Sequence, residues 1–365
     1  MNRDTVKQMV ICSVFGMCGA LWASERISPK DANIHFQGAK FFQTLEDGGL
    51  ECNRFPAKVL KEEFSGQRPK PGEVWGGKAR STTGVKMIFK TDSDHITLHF
   101  KVPEGFTNRG ANWLVRQNGD AGEPFDFSKK NQAMDLKVTS KTPGKPVVYT
   151  VVYPSWANPV FYGMELDQGK TLLPYTLPKK PLYVAYGDSV SHGTGQKSAA
   201  YLTWPYKLAE KLGYDYYSLA VGGAKIKLPV VECFQYFDHV DLVTFYLGIN
   251  DAATKTVEEY KKDYAAALEI IRKYHPSAKI FCITLHTVPA DKVGKFTKVP
   301  LTEYRQPVID VVAARQNAGD QNIFLIDGTQ LVGLEDAMNP GNVHLSVDGA
   351  DKWAKNIYKE IKPHL

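Results

Sequence analysis

Cysteine is scarce in this 365-residue chain, and no long hydrophobic run occurs beyond its N-terminal segment. Two of the five cysteines fall within the first 23 residues; the other three, Cys52, Cys233 and Cys282, form no closely spaced pair. An odd number of unpaired cysteines argues against a disulfide framework and against a zinc site. Cys282 lies in an apolar run, which predicts a buried core thiol.

A concentrated basic patch is also missing. The chain has 45 Lys and Arg against 39 Asp and Glu, a net charge of +6, but these residues are scattered along the sequence. This distribution argues against a nucleic-acid partner. No cluster of His, Asp and Cys has metal-ligand spacing, so neither a metal nor an organic cofactor is predicted. The overall composition is that of a globular protein.

The N-terminal segment predicts a secretory signal peptide over residues 1–23. Arg3 and Lys7 supply the positive start, residues 9–22 are apolar or small, and cleavage is expected after Ala23. The apolar run is too short for a comfortable membrane span, which argues against stable membrane insertion, although a retained anchor is the alternative. We therefore expect a secreted or periplasmic protein.

Two sequence textures meet near residue 180. Residues 27–175 show short alternating runs, for example 85–89, 96–102 and 147–152, separated by turn residues. Alternation with β-branched and aromatic side chains predicts strands with one buried face. The region is therefore expected to be an antiparallel, jelly-roll-like β-sandwich.

Residues 181–365 predict an α/β three-layer domain with a parallel sheet, joined to the first by a proline-containing connector. Short continuous apolar runs alternate there with helical patterns, as expected for strands buried on both faces. The expected strands are 182–186, 216–220, 242–247, 280–285 and 323–326, and the clearest helices are 203–212, 257–274 and 347–361.

Polar or glycine-rich segments follow four of the predicted strands. Ser189 follows the first, Gly222-Gly223 the second, Asn250 the third, and a loop containing His344 comes after the last. Ligands of open parallel sheets bind beyond the carboxyl ends of the strands. A hydroxyl, a glycine N–H, a side-chain amide and an imidazole at one sheet edge are the components needed for acyl transfer.

The order of these four segments resembles that of the GDSL/SGNH hydrolase superfamily, over roughly residues 181–362. The resemblance implies that Ser189 is the nucleophile and that His344 is its general base. It also implies an oxyanion hole made of the Ser189 N–H, the Gly223 N–H and the Asn250 amide.

Nearby residues receive other assignments. Gly222 is the alternative to its neighbour as the oxyanion donor. His192 follows the nucleophile and competes for the role of base, but we expect it to point away. Asp188 and Asp251 are expected to hold loops through hydrogen bonds to the backbone.

The sequence departs from the superfamily at the acid of the triad. That acid normally lies three residues before the histidine, where this chain has Gly341. Three alternatives follow: a backbone carbonyl orients His344 in a Ser-His dyad; Asp336 or Glu335 reaches the imidazole as a displaced acid; or the enzyme is inactive.

The two-domain layout resembles that of family 2 carbohydrate esterases. The expected function is a secreted serine esterase that removes acetyl groups from carbohydrate, acting on small-molecule or polysaccharide esters. An acyltransferase, a lipase- or thioesterase-type enzyme and an inactive carbohydrate-binding protein are the alternatives. Trp113, Trp156 and Trp204 are candidates either for sugar stacking or for the core. Nothing in the sequence predicts the oligomeric state.

Overall fold

The first half of the chain forms two antiparallel sheets that pack face to face. The computed structural model describes residues 24–64, 76–289, 292–339 and 341–365, so the predicted signal peptide lies outside the described residues. The strands are β1 Ser24–Ile27, β2 His35–Gln37, β3 Phe41–Thr44, β4 Leu50–Asn53, β5 Lys86–Thr91, β6 His95–Lys101, β7 Ala111–Gln117, β8 Glu123–Phe127, β9 Ala133–Thr139, β10 Val147–Val152, β11 Val160–Asp167 and β12 Leu172–Leu173.

One sheet has the order β3-β4-β11-β6-β9, with β1 also paired to β11, and the other has the order β12-β5-β10-β7-β8, with β2 also paired to β5. Along β6, Ile96, Leu98 and Phe100 are buried and alternate with more accessible residues. The Phe100 ring lies 4.2 Å from the ring of Trp113 on the other sheet. The predicted antiparallel β-sandwich is therefore confirmed.

The second half forms a five-stranded parallel sheet of order β14-β13-β15-β16-β17. Its strands are β13 Leu182–Gly187, β14 Asp215–Ser218, β15 Leu242–Tyr246, β16 Lys279–Ile283 and β17 Ile323–Ile326. The helices of the chain are α1 Ala57–Glu62, in the first half, and α2 Ser189–His192, α3 Trp204–Leu212, α4 Leu228–Val231, α5 Val257–Tyr274, α6 Gln306–Asn317 and α7 Val347–Ile361.

Helices cover both faces of this sheet. Phe245 and Tyr246 are consecutive on β15, so their side chains point to opposite faces. Phe245 stacks on Tyr264 of α5 at 4.2 Å, whereas Tyr246 contacts Trp353 of α7 at 5.1 Å. The α/β three-layer fold is confirmed, and no helix among the described residues is long and apolar enough to cross a membrane.

The strand order brings the predicted site to one place. From β13 the chain passes to β14 on one side of it, and the next connection, from β14 to β15, crosses to the other side, so a crevice opens between the carboxyl ends of β13 and β15. Crevices of this kind are where doubly wound sheets bind ligands. Ser189 follows β13 and Asn250 follows β15, so both lie at this crevice.

A buried arginine joins the two halves of the chain. Arg54 is 1% exposed, and its guanidinium donates to the carbonyl oxygens of Ser81 and Ala79 on one side and of Ser218 and Ala220 on the other, at 2.8–3.2 Å. Burial lowers the pKa of Arg54 to about 10. Its charge is thus compensated by four backbone dipoles that belong to both halves.

We expect Arg54→Met to destabilise the protein by about 3 kcal/mol, because it leaves buried carbonyl groups without donors. The measurement is the urea midpoint of unfolding, followed by circular dichroism. Arg26→Met, an exposed arginine of β1, is the matched control and should leave the midpoint unchanged. Equal midpoints for the two variants would show that the buried guanidinium does not hold the halves together.

Candidate active site

The nucleophile candidate sits on a tight turn at the end of β13. Asp188 caps the short helix α2 by accepting a hydrogen bond from the Val190 N–H at 2.9 Å, which is the structural role expected for it. Ser189 is the first residue of α2, so its N–H has no acceptor within the helix. This N–H is therefore available to a ligand at the sheet edge.

The structure brings Ser189 and His344 together. Ser189 Oγ lies 2.7 Å from His344 Nε2, although 155 residues separate the two in sequence. His344 is half-buried, and burial lowers its pKa from the ordinary value of 6.5. Its ring is therefore neutral at neutral pH and can accept the hydroxyl proton.

The side chain of Asn342 occupies the place beside the imidazole where a triad acid would stand. Its Oδ1 lies 2.9 Å from His344 Nδ1 and also accepts the backbone N–H of His344 at 2.9 Å. A backbone amide can only donate, so the Asn342 atom that faces it must be the oxygen. Nδ1 then carries the ring proton, and Nε2 is left as the acceptor that faces Ser189.

None of the three sequence alternatives included Asn342. A readable signal existed: an Asn two residues before another residue commonly accepts that residue's N–H in an Asx turn. Asp336 Oδ2 instead accepts hydrogen bonds from the Gly333 N–H at 2.8 Å and from Lys352 at 2.7 Å. The exposed Glu335 also pairs with Lys352, so the described contacts of both carboxylates lie away from the imidazole.

The loop that carries His344 is anchored on both sides. Ala337 and Leu345 form an antiparallel bridge, and the Met338 N–H donates to the His344 carbonyl at 2.7 Å. From the nucleophile side, the buried Gln196 amide donates to the Leu345 carbonyl at 2.7 Å. These bonds hold the imidazole in position opposite the serine.

The backbone N–H groups of Gly222 and Gly223, the glycine pair after β14, differ in their hydrogen bonding. The Gly222 N–H donates to His192 Nδ1 at 2.9 Å. Gly223 has a left-handed backbone with φ of +84°, and no described residue accepts its N–H. The pair lies beside the nucleophile turn, because the Val221 N–H donates to the Gly187 carbonyl at 3.1 Å. Of the two, Gly223 is the one with a free donor.

Asn250 completes the set of donors expected for an oxyanion hole. Its amide nitrogen gives one proton to the Ala224 carbonyl at 3.1 Å and retains a second one. The following residue, Asp251, accepts from the Ile226 N–H at 3.0 Å and from Lys255 at 2.8 Å, the structural role expected for it. The loops after β14 and β15 are thereby fastened to each other.

His192 is turned away from the serine, as expected. It is fully buried, its Nε2 donates to the Ser155 carbonyl at 2.7 Å, and its ring stacks on Trp156 at 4.1 Å. The end of the Trp156 ring lies against Gly222, where a β-carbon would come within 2.3 Å of it. Of the three tryptophans that the sequence left between sugar stacking and the core, Trp113 and Trp204 are buried in the core, and Trp156 is only 5% exposed.

Two buried carboxyl groups lie under the site. Burial raises the pKa of Asp188 to about 7 and also raises that of Asp251. Because His344 has no carboxylate among its described contacts, no negative charge offsets the effect of burial on its pKa. The residues that the structure describes contain no cluster of three or more metal-binding side chains.

Comparison with known proteins defines the class. Residues 185–352 match the model of the GDSL-like Lipase/Acylhydrolase family. The α/β half is therefore a GDSL-like lipase/acylhydrolase domain, and an antiparallel β-rich domain precedes it. The chain is a carboxylic ester hydrolase of this type. A search of curated proteins finds no match.

Solved structures share the fold of the whole chain. A salicylyl-acyltransferase from a tetracycline biosynthetic pathway is 21% identical, with a TM-score of 0.79 and coverage of 93% of this chain and 97% of that one. Family 2 carbohydrate esterases from Clostridium thermocellum (16% identical, TM-score 0.66, coverage 91% and 98%) and Cellvibrio japonicus (12% identical, TM-score 0.66, coverage 93% and 98%) are also similar. At these identities the likeness establishes the fold, including the β-rich domain.

The partner of His344 is the neutral amide of Asn342, and this leads to a prediction about how activity depends on pH. In the wild type, kcat/KM should fall only as pH drops below the ordinary histidine range, because His344 must be neutral to act as a base and burial lowers its pKa. Asn342→Asp places a carboxylate beside the imidazolium, raises its pKa and should move the acidic limb upward by about 1 pH unit or more.

Asn342→Ala is the companion variant. It removes the acceptor that selects the ring tautomer, and we expect kcat to fall about tenfold or more at every pH, without the upward shift of the limb. Profiles of kcat/KM against pH for a neutral ester distinguish the two effects. An Asn342→Asp profile that overlays the wild-type profile would contradict the assignment of Asn342 as the partner of His344.

Proposed function

We propose that this protein is a secreted serine esterase that removes acetyl groups from carbohydrate, with Ser189 as nucleophile and His344 as base. The observation that carries the mechanism is the distance of 2.7 Å between Ser189 Oγ and His344 Nε2, with Asn342 Oδ1 at the other ring nitrogen. The short hydrogen bond activates a hydroxyl that is otherwise a weak nucleophile.

The reaction proceeds in two halves. Ser189 Oγ attacks the ester carbonyl carbon while His344 Nε2 takes its proton, and a tetrahedral oxyanion forms. The oxyanion accepts hydrogen bonds from the N–H groups of Ser189 and Gly223 and from the Asn250 amide. The intermediate collapses, the alkoxide leaves with the proton from Nε2, and an acyl-serine remains. Water then repeats the attack with His344 as base and releases the carboxylic acid.

The carbohydrate assignment is supported by the β-rich domain together with the hydrolase domain, a combination also found in the similar family 2 carbohydrate esterases. Fold alone does not define a substrate. The secretory signal predicted over residues 1–23 is compatible with extracellular or periplasmic polysaccharide.

Acyl transfer is the second candidate, favoured by the similarity to the salicylyl-acyltransferase, which has a TM-score of 0.79. The first half-reaction is the same, and the outcome depends on whether water or an alcohol reaches the acyl-serine. Adding a sugar alcohol to the assay and measuring the molecular masses of the products distinguishes transfer from hydrolysis. Transfer gives a new ester, whereas hydrolysis gives free acid only.

The roles of Ser189 and Asn250 are tested on 4-nitrophenyl acetate. Ser189→Ala should reduce hydrolysis to background, because among the described residues Ser189 is the hydroxyl that hydrogen-bonds to His344 Nε2. Asn250→Ala should lower kcat by about 100- to 1,000-fold, the usual effect of losing one oxyanion donor. Ser128→Ala, on an exposed turn of the β-sandwich, is the control and should keep full activity. Full activity of Ser189→Ala would refute the mechanism.

The acyl and alcohol groups are tested with acetylated xylan and with 4-nitrophenyl esters of increasing chain length. A carbohydrate deacetylase releases acetate from the polysaccharide and loses kcat/KM as the acyl chain lengthens. A lipase-type enzyme shows the opposite order on the chromogenic series. Release of acetate from neither polysaccharide nor sugar would exclude the carbohydrate assignment while leaving the esterase intact.

A further inference from the structure

Two cationic side chains of the β-rich domain stand beside the oxyanion loop. Lys78 lies on the short turn before β5. A β-carbon placed on Gly223 would lie 3.9 Å from Lys78 Nζ. No other described heavy atom, apart from the glycine and its chain neighbours, would lie within 4 Å of that β-carbon. The space above this glycine is otherwise open. The ammonium group therefore borders the place where the oxyanion forms.

Arg109 reaches the same region through Trp156. The Arg109 guanidinium lies 4.7 Å from the centre of the Trp156 ring. The same ring stacks on His192 at 4.1 Å, and its edge packs against Gly222. The Arg109 N–H also donates to the Trp156 carbonyl at 3.0 Å, which holds the start of the side chain in place. The Arg109 guanidinium is thus held on the Trp156 ring, which itself packs against the oxyanion loop.

Neither cation is paired with a carboxylate among the residues that the structure describes. Both side chains are exposed, and no carboxylate of the described residues lies within ion-pair distance of Lys78 or Arg109. Desolvation, followed by repulsion from Arg109, lowers the pKa of Lys78. Arg109 and Lys78 therefore repel each other, and an anion bound beside both would offset that repulsion.

We propose that Lys78 and Arg109 form an anion-binding subsite that selects esters carrying a carboxylate, either on the sugar or on the acyl group. Lysine binds such a group as a point charge, and arginine binds it through its planar fork. The subsite deepens the proposed esterase function and rests on it, because the selected anion belongs to the ester that Ser189 attacks. Its specificity comes from the β-rich domain rather than from the hydrolase domain.

The test compares matched esters that differ by one carboxylate. On the sugar side, methyl glucuronide and methyl glucoside are acetylated at the same hydroxyl. On the acyl side, 4-nitrophenyl hydrogen succinate is compared with 4-nitrophenyl butyrate. The wild type should prefer the charged member of one pair by about tenfold in kcat/KM, mostly through KM. The pair that shows the preference identifies whether the sugar or the acyl group carries the anion.

Variants and salt assign that preference to the two cations. The double variant Lys78→Met/Arg109→Met should reduce the charged-to-neutral ratio to about one. Lys137→Met, an exposed lysine on β9, should keep the wild-type ratio. Raising NaCl should reduce the ratio in the wild type, because exposed charges are screened, and should leave the double variant unaffected.

The outcomes are distinguishable from a failure of the proposed function. If the wild type hydrolyses neutral esters through Ser189 but shows no preference for the anion in either pair, the subsite is refuted and the esterase stands. If the double variant keeps the preference and its salt dependence, the subsite is refuted as well. The salt series on the wild type needs no variant, so the test holds even if the double variant does not fold.

Discussion

The hydrogen bonds of one buried imidazole, that of His192, hold the site together. Burial lowers the pKa of His192 well below its ordinary value, so the ring is neutral, with Nδ1 as acceptor and Nε2 as donor. Nδ1 takes the Gly222 N–H, and Nε2 donates to the Ser155 carbonyl of the β-rich domain. This arrangement uses the first amide of the glycine pair and leaves that of Gly223 for a ligand. A charged or missing ring at this position would release both loops.

The same contacts make the β-rich domain part of the catalytic centre. Trp156 packs on the His192 ring, and the buried Arg54 bonds to backbone carbonyls of both halves. In the proposed mechanism, the hydrolase domain supplies the nucleophile, base and oxyanion donors, whereas the β-rich domain supplies a wall of residues beside the oxyanion loop. Residues on that wall, including Lys78 and Arg109, are therefore placed to act on the part of the substrate beyond the scissile bond.

What the sequence predicted depended on local signals. Helix α5 spans the residues that the apolar spacing predicted, and the parallel strands were recognised as short apolar runs. Ser189, Gly223, Asn250 and His344 were predicted as one site because the carboxyl ends of parallel strands meet at one edge; the structure brings Ser189 and His344 together, and the catalytic roles stay predictions. Contacts between distant segments, such as Trp156 with His192, left no such signal. Asn342 lies only two residues before His344, so the sequence could have indicated this contact, but the prediction considered only carboxylates and backbone carbonyls as partners of the imidazole.

An amide in place of a carboxylate changes the electrostatics of catalysis. Asn342 orients the ring and selects its tautomer, but it contributes no negative charge to stabilise the imidazolium that forms when Ser189 attacks. In the proposed mechanism, Lys78 and Arg109 add positive potential beside the oxyanion loop, which favours the developing oxyanion. In the proposed mechanism, the transition state is therefore stabilised mainly at its negative end. An anionic substrate group, as proposed for the subsite of Lys78 and Arg109, would offset part of that positive potential.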